Sequence, residues 1–316
     1  NAGMTRPLLG NSNALQAAQL DRSNSEGNAF NGTAFAEVKF LKDFTFTFNA
    51  GIGLDEMRGT SVSNMYYGQY APTGGMIGKS HGRSFSLNLQ QLLNYNRTFA
   101  GVHNVGVLLG HEWYNSKSYS LSAMKTQLFS MENDELNGAV VDGKSAASSF
   151  GEYNNEGYFV RAQYDYANRI FGSVSYRRDA SSRFHPDNRW GNFYSASAAW
   201  VLSKEYFMND VDWVNMLKFK VSYGVQGNDN LRSYYPYADQ YTHSYNEDTG
   251  EYSLRLSYKG NEEITWESSH SFNVGADFEL FGGYLNGTVE YFSRTTSDLL
   301  YNKDVPLSAG NHTGYV

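Results

Sequence analysis

The sequence predicts an all-β protein, an antiparallel up-and-down transmembrane β-barrel of which about ten consecutive strands are present. Three observations lead there. Strand-length segments alternate apolar and polar residues, the connections between them alternate short and long, and aromatic residues gather at the short ones. Successive side chains of a strand point to opposite faces, so strict alternation makes one apolar face and one polar face. The stretch FTFTFNAGIGL (44–54) puts Phe44, Phe46, Phe48, Ala50, Ile52 and Leu54 on one side. Thr45, Thr47, Asn49, Gly51 and Gly53 fall on the other.

Taken in order, the first strand (28–41) sets Ala34, Ala36, Val38 and Phe40 opposite Phe35, Glu37 and Lys39. The second (43–58) contains the stretch just quoted. The third (82–97) sets Phe85, Leu87 and Leu89 opposite Ser86 and Asn88, and the fourth is 102–123. The fifth (153–167) sets Tyr158, Val160, Ala162, Tyr164 and Tyr166 opposite Arg161, Gln163 and Asp165. The sixth and seventh are 169–183 and 192–203. The eighth (216–228) sets Leu217, Phe219, Val221, Tyr223 and Val225 opposite Lys218, Lys220 and Ser222. The ninth (268–281) sets Val274, Ala276, Phe278 and Leu280 opposite Gly275, Asp277 and Glu279, and the tenth is 283–298. A tilted strand needs about 9–11 residues to cross a bilayer, and these are long enough.

The connections at 41–43, 97–101, 167–169 and 282–283 are short, 204–215 is of medium length, and 59–81, 124–152, 184–191 and 229–267 are long. Outer-membrane barrels alternate in this way, with short turns on the periplasmic side and long loops outside. Register gives a stricter test, because opposed residues in a hairpin share a face. A two-residue primed turn at Gly282 and Gly283 pairs Leu280 with Leu285, Phe278 with Gly287, Ala276 with Val289 and Val274 with Tyr291. It also pairs Glu279 with Asn286, Asp277 with Thr288 and Gly275 with Glu290. The turn at 41–43 pairs Phe40 with Phe44, Val38 with Phe46 and Ala36 with Phe48. The turn at 167–169 pairs Tyr166 with Ile170 and Tyr164 with Gly172. Aromatics crowd these turns: Phe40 and Phe44, Tyr95 and Phe99, Tyr206, Phe207 and Trp213, Phe281 and Tyr284. Such rings favour the membrane–water interface, and packing near turns is their ordinary alternative.

Composition sets outer bounds. The 316 residues carry a net charge of −7, which argues against a nucleic-acid partner. Without cysteine there is neither a disulfide framework nor a thiolate metal site. No apolar run approaches the ~18 residues of a membrane-spanning helix, which leaves strands as the means of crossing. The N-terminal stretch NAGMTRPLLGNSN has no signal-peptide pattern, so either that peptide has been removed or the chain belongs to something longer.

In a wide barrel the polar face is the lumen. The expected lumen-facing residues are Glu37, Lys39, Arg161, Asp165, Lys218, Lys220, Asp277, Glu279 and Glu290, with Gly51, Gly53, Gly224 and Gly275 among them. Glycine inside a strand implies close approach of another group, here an inserted plug, or a bend of the wall. Two tyrosine-rich loops, NMYYGQY (64–70) and LRSYYPYADQYTHSYNEDTGEY (231–252), offer stacking faces beside hydrogen-bonding groups. Tyr66, Tyr67, Tyr70, Tyr234, Tyr235 and Tyr241 are therefore candidates for contacting a sugar or peptide, with loop packing or contact with a partner as the alternative.

No catalytic constellation or cofactor motif stands out. HEWYN (111–115) lacks the second histidine of a zinc helix, and no helix follows the glycines of GIGLDE (51–56). Glu262 and Glu263 read as solvated, and Asp277 with Glu279 as lumen carboxylates. MENDEL (131–136) and NEDTG (246–250) are acidic turns, with calcium as a lesser alternative. Arg177, Arg178 and Arg183, near a strand's outer end, read as loop ion pairs, with ligand contact as the alternative. The sequons at Asn31, Asn96, Asn286 and Asn311 read as chance.

The segment 175–208, SYRRDASSRFHPDNRWGNFYSASAAWVLSKEYFM, resembles a stretch of the SusC-like (RagA-like) TonB-dependent outer-membrane transporters of Bacteroidota. SYRRD, SSRF, PDNRWGNF and SAAW carry the likeness. Ala180, His185 and Tyr194 stand where the family usually has Gly, Gly and Pro. NAFNGTAFAEVKFLKDFTFTFNAGI (28–52), LNYNRTFAGVHNVGVLLGHE (93–112) and LKFKVSYGVQGND (217–229) are similar to further stretches. The resemblance covers essentially the whole chain. It implies a barrel of about 22 strands with a plug, of which this chain is an internal single-domain portion without the plug. It further implies import without chemical change of oligosaccharides, or alternatively peptides, together with a SusD-like surface lipoprotein and TonB. A soluble extracellular carbohydrate-binding or hydrolytic β protein is the rival from another class, and the one-sided loop lengths speak against it.

Overall fold

The computed structural model describes residues 14–143, 145–231, 233–304 and 313–315. The stretch read for a signal peptide (1–13) and the sequon at Asn311 lie outside the described residues. A short helix, α1 (Ala14–Leu20), precedes the strands β1 (Arg22–Phe40), β2 (Phe44–Ser63), β3 (Met76–Phe99), β4 (His103–Leu128), β5 (Ala139–Asp142), β6 (Ala147–Tyr166), β7 (Ile170–Ser181), β8 (Trp190–Val201), β9 (Val214–Asn228), β10 (Gln240–Asn246), β11 (Glu251–Tyr258), β12 (Glu267–Leu280), β13 (Leu285–Ser297), β14 (Asn302–Asp304) and β15 (Thr313–Tyr315). One sheet runs in the order β1-β2-β3-β4-β6-β7-β8-β9-β12-β13, with β5 paired beside β4. Its ten long members are the ten predicted strands. A second sheet runs β10-β11-β15-β14.

Two of the predicted hairpin registers, at 282–283 and 167–169, are present. Leu280 faces Leu285, Phe278 faces Gly287, Ala276 faces Val289 and Val274 faces Tyr291, while Asp277 faces Thr288 and Gly275 faces Glu290. Tyr166 faces Ile170 and Tyr164 faces Gly172. The connection between β12 and β13 spans 281–284 and is longer than the two-residue turn expected: φ is positive at Phe281 (57°) as well as at Gly282 (69°) and Gly283 (90°), and the predicted register holds across it. The turns at Ala167-Asn168 and Leu41-Lys42 use positive φ without any glycine.

Two expectations are corrected. The strands run further from the short turns than the apolar alternation does: β1 begins at Arg22, β3 at Met76 and β6 at Ala147. Residues such as those of RSNSEG (22–27) have no apolar face to bury; backbone pairing with the next strand carries them on. The long connections 124–152 and 229–267 are also not plain loops, since they contain β5 and the β10–β11 hairpin.

The chain forms two compact units. One comprises the described residues up to Thr33 with Gly51–Leu87 and Ser116–Glu152, and has a small core of Val62, Ile77, Leu128 and Ala139, with Met65, Met131 and Leu136 against it. The other comprises Ala34–Ala50, Asn88–Asn115 and the described residues from Tyr153 on. Its core of Phe184, Phe193, Leu231, Ile264 and Trp266 sits where the loops leave β7, β8, β9 and β12, at the end opposite the short turns.

Candidate functional site on the polar face of the strand wall

Alternation along β9, β12 and β13 brings Lys220, Asp277 and Glu290 onto one face, and there they form a bridge across three strands. The Lys220 ammonium lies 3.0 Å from Asp277 Oδ1 and 3.0 Å from Glu290 Oε1. Thr288 donates a hydrogen bond of 2.9 Å to Asp277 Oδ1. The register sets Asp277 directly beside Lys218, yet its bridge is to Lys220. Nearby, Asn104 donates to Asp165 at 2.9 Å, and Arg161 lies against the Gln163 amide. These side chains border a groove of about 750 Å³ that Arg161, Lys218, Lys220 and Glu290 line. On β1, Lys39 and Glu37 bridge each other at 3.3 Å. Glu279 faces Asn286 in the register.

Three of the four strand glycines, Gly53, Gly224 and Gly275, are crowded from within the sheet itself. A Cβ on Gly275 would stand 2.7 Å from Glu290 Cγ, 2.8 Å from the Val289 carbonyl oxygen and 3.1 Å from Lys220 Cε. The approaching group is thus the bridge of the same sheet, and neither a plug nor a bend is needed. Gly53 and Gly224 are likewise crowded from the neighbouring strand, by Ser86 Oγ at 2.6 Å and Ser195 Cβ at 3.1 Å.

A second polar run on this face was not read from the sequence. Asn49 donates to Gln90 at 3.4 Å, Gln90 to Glu112 at 3.0 Å, and Arg177 to Glu112 at 3.1 Å and to Asp179 at 2.7 Å. Arg177 reaches from β7 across β6 to β4 because Gly157 on β6 has no side chain to bar it: a Cβ there would lie 2.8 Å from the guanidinium. Arg177 is therefore part of the wall and not a loop ion pair. Arg178 also departs from that expectation, since its guanidinium lies 5.0 Å over the Trp190 ring on the opposite face.

Arg183 belongs to a clamp at the loop end. Asp229 Oδ2 accepts from the Tyr153 hydroxyl at 2.8 Å and from Ser181 Oγ at 2.6 Å, and Arg183 donates to the Asp229 carbonyl at 2.7 Å. Trp266 Nε1 donates to the Arg189 carbonyl at 2.9 Å, above a fully buried Phe184. The SSRF, PDNRWGNF and GND stretches singled out in the sequence build this clamp. Tyr153 lies beyond the ~9–11 residues that cross a membrane from the short turn. Burial, and then the Asp229 charge, push its hydroxyl pKa above the usual tyrosine value.

The other face of the wall is apolar and uncovered. Val274, Val289 and Tyr291 are 41, 66 and 64% exposed, so among the described residues no second layer packs on them. At the short-turn end the aromatics form pairs: Phe40 stacks on Phe44 at 5.6 Å, Phe44 meets Tyr95 at 4.8 Å, and Trp213 stacks on Phe281 at 5.6 Å.

The tyrosine candidates fall in both units. In the first, Tyr66 is exposed, and the backbone N–H groups of Tyr66 and Tyr67 donate to Asn64 Oδ1 in a tight turn, with Tyr70 half-buried further along. In the second, Tyr235 and Tyr241 are exposed and Tyr234 is half-buried. The acidic stretches form side-chain-capped turns at Asn133 and Asn246. Among the described residues no group of three or more His, Asp or Glu side chains has the geometry to hold a metal ion.

A continuous antiparallel wall, ionic on one face and bare and apolar on the other with ring pairs at the short turns, defines an outer-membrane β-barrel protein. Residues 3–315 match the family described as TonB dependent receptor-like, beta-barrel, and the chain belongs to that family. It is 28% identical to TonB-dependent receptor P39 of Formosa agariphila over 96% of this chain and 29% of that protein. It is 26% identical to TonB-dependent receptor SusC of Bacteroides thetaiotaomicron over 93% of this chain and 30% of that one. The chain therefore spans under a third of the length of these relatives. Among solved structures, that of the RagAB peptide transporter superposes with a TM-score of 0.87 at 25% identity, covering 94% of this chain and 33% of that one.

Proposed function

We propose that this chain is the wall of a TonB-dependent importer, in which substrate passes the polar face unchanged while the apolar face meets outer-membrane lipid. The observation that carries the reading is the Lys220–Asp277–Glu290 bridge. It is a paired ionic surface on the side of the sheet opposite the exposed apolar residues, which supports this reading. In this reading Glu37, Lys39, Arg161, Asp165, Lys218, Lys220, Asp277, Glu279 and Glu290 face the lumen, and the chain is one part of a single larger barrel domain that holds a plug. With four basic and five acidic side chains among these nine positions, the face presents hydrogen-bonding groups to a passing polar solute with little net charge to trap it. No step of bond-making is required, so the protein is not an enzyme.

The substrate is an oligosaccharide in the first reading, captured with a SusD-like surface lipoprotein and contacted by Tyr66, Tyr67, Tyr70, Tyr234, Tyr235 and Tyr241. Aromatic rings beside hydrogen-bonding side chains suit sugar rings. A peptide is the second reading, favoured by the likeness to a peptide transporter at 25% identity. The test is uptake of fluorescent maltoheptaose and of a fluorescent decapeptide by cells producing the protein, with and without a protonophore and with and without TonB. Uptake of one probe that stops when either energy source is removed is the expected outcome. Uptake of neither, or uptake indifferent to both, contradicts the reading.

A further inference from the structure

The β10–β11 ribbon stands outside the main sheet and has properties that transport through the wall does not use. Gln240–Asn246 pairs with Glu251–Tyr258, bringing Tyr241, His243 and Tyr245 opposite Leu256, Leu254 and Tyr252 on one face. Tyr241 is 60%, Tyr252 77% and Leu254 75% exposed, so this aromatic and aliphatic face is bare. The other face carries Thr242, Ser244, Ser253 and Arg255.

Alone, a two-stranded ribbon is barely stable in water. This one is held at both ends and in the middle. At the base, Tyr258 donates to the Pro236 carbonyl at 2.8 Å, and Lys259 bridges Asp239 at 3.0 Å. Midway, Ser244 and Ser253 share a hydrogen bond of 2.6 Å and the rings of Tyr245 and Tyr252 meet at 4.7 Å. At the tip, Asn246 caps the turn by accepting from the Asp248 N–H at 3.0 Å. The ribbon is thus set in its shape before any partner arrives.

Its outer edge is open. β10 ends the second sheet and has β11 as its one neighbour among the described residues. Proteins guard such edges with lysine, proline, inward charges or a bulge. The sequence of β10, Gln-Tyr-Thr-His-Ser-Tyr-Asn, contains no Lys, Arg, Asp, Glu or Pro. Tyr and Thr favour strands, and beyond a single register shift at the base, between Gln240 and Tyr241, the edge is uncharged and regular to Asn246. That regular part offers roughly 20 Å of backbone donors and acceptors, at about 3.4 Å per residue. The tip beyond it is acidic, with Glu247, Asp248 and Glu251 against Arg255 as the ribbon's one Lys or Arg.

We infer that the free edge of β10 is a strand-addition site for an extended, basic polypeptide segment. The segment would continue the sheet through backbone hydrogen bonds, and alternate apolar side chains would lie beside Tyr241, His243 and Tyr245. Its cationic residues would meet the acidic tip. Strand addition takes affinity from the main chain and specificity from alternate side chains. A glycan stacking on the tyrosines would use the aromatic face but not the edge. A second copy pairing antiparallel, edge to edge, would set each acidic tip beside the other's base, where Lys259 is already paired with Asp239, and would need no basic peptide.

The proposal is independent of transport and is tested by binding alone. The purified protein in lipid nanodiscs is titrated with a decapeptide of alternating lysine and valine, with the same peptide N-methylated at every second residue, and with maltoheptaose. The alternating peptide is expected to bind and to slow hydrogen exchange of the amides in 240–246. N-methylation removes donors but leaves charge and side chains, and should weaken binding at least about tenfold, the effect of about 1.4 kcal/mol. Tyr245→Ala should weaken it several-fold while leaving the main sheet intact. Failure of the peptide to bind, equal affinity of the N-methylated form, equal protection by maltoheptaose, or protection that rises with protein concentration without peptide would each overturn the inference.

Discussion

Gly275 has room for a hydrogen and nothing larger, because Glu290, the Val289 carbonyl and Lys220 already fill the space where a side chain would start. Two of these obstacles can move only by breaking the bridge, and the third is backbone. Gly275→Val should therefore cost about 1–3 kcal/mol of stability, the range for forced overpacking, measured by urea unfolding in lipid vesicles. Tyr153 is a different kind of residue, a hydroxyl whose proton is held by Asp229 at 2.8 Å. Burial first, and the Asp229 charge second, raise its pKa above the ordinary tyrosine value of 10.0. Between that value and the raised one the folded state binds a proton that the unfolded state has lost. The hydrogen bond then supports folding fully below about pH 10 and fails as pH rises further. Tyr153→Phe should lower stability by about 1.5–3 kcal/mol at pH 8, since the acceptor is charged, and should flatten the alkaline decline. An unchanged alkaline profile in that variant would detach the decline from this hydroxyl.

At the scale of elements, the short turns fix the sheet, and they do so with unequal residues. Gly282 and Gly283 take positive φ without steric penalty. Leu41 and Lys42 take φ of 48° and 62° with side chains that disfavour it. Lys42→Gly should stabilise the hairpin by about 1 kcal/mol, whereas Gly283→Ala should destabilise it by a similar amount, in paired refolding titrations. These hairpins were legible in the sequence because an apolar face and a turn length together allow one register: Leu280 against Leu285 satisfies both. The β10–β11 ribbon was not legible. Its alternation of Tyr and His with Thr and Ser is present, but no residue of β10 is buried, so nothing distinguishes it from a polar loop. The loop-end extensions of β1, β3 and β6 were missed for a related cause, since partner backbone and not an apolar stripe sustains them.

For the molecule as a whole, the two-faced wall is what sequence alternation expresses most directly, and seven of the nine charged positions read as one face (Arg161, Asp165, Lys218, Lys220, Asp277, Glu279 and Glu290) lie in strand pairs whose registers keep that alternation. What alternation cannot express is reach between strands. The run from Asn49 to Asp179 depends on Arg177 crossing β6 over Gly157, a relation between strands that no single-strand pattern contains. The same holds for the clamp at Asp229, whose members Tyr153, Ser181 and Arg183 lie on two strands and a loop far from it in sequence. The account rests on lipid lying against one face and water against the other. The sequence has no cysteine, so single cysteines can be placed along β12 and spin-labelled in reconstituted protein. Labels at Phe272, Val274 and Ala276 should collide freely with oxygen dissolved in the bilayer. Those at Ser271, Asn273 and Asp277 should collide with a water-soluble nickel chelate, giving an accessibility that alternates with a period of two. Equal water accessibility at both sets, or oxygen accessibility at the second set alone, would contradict the account.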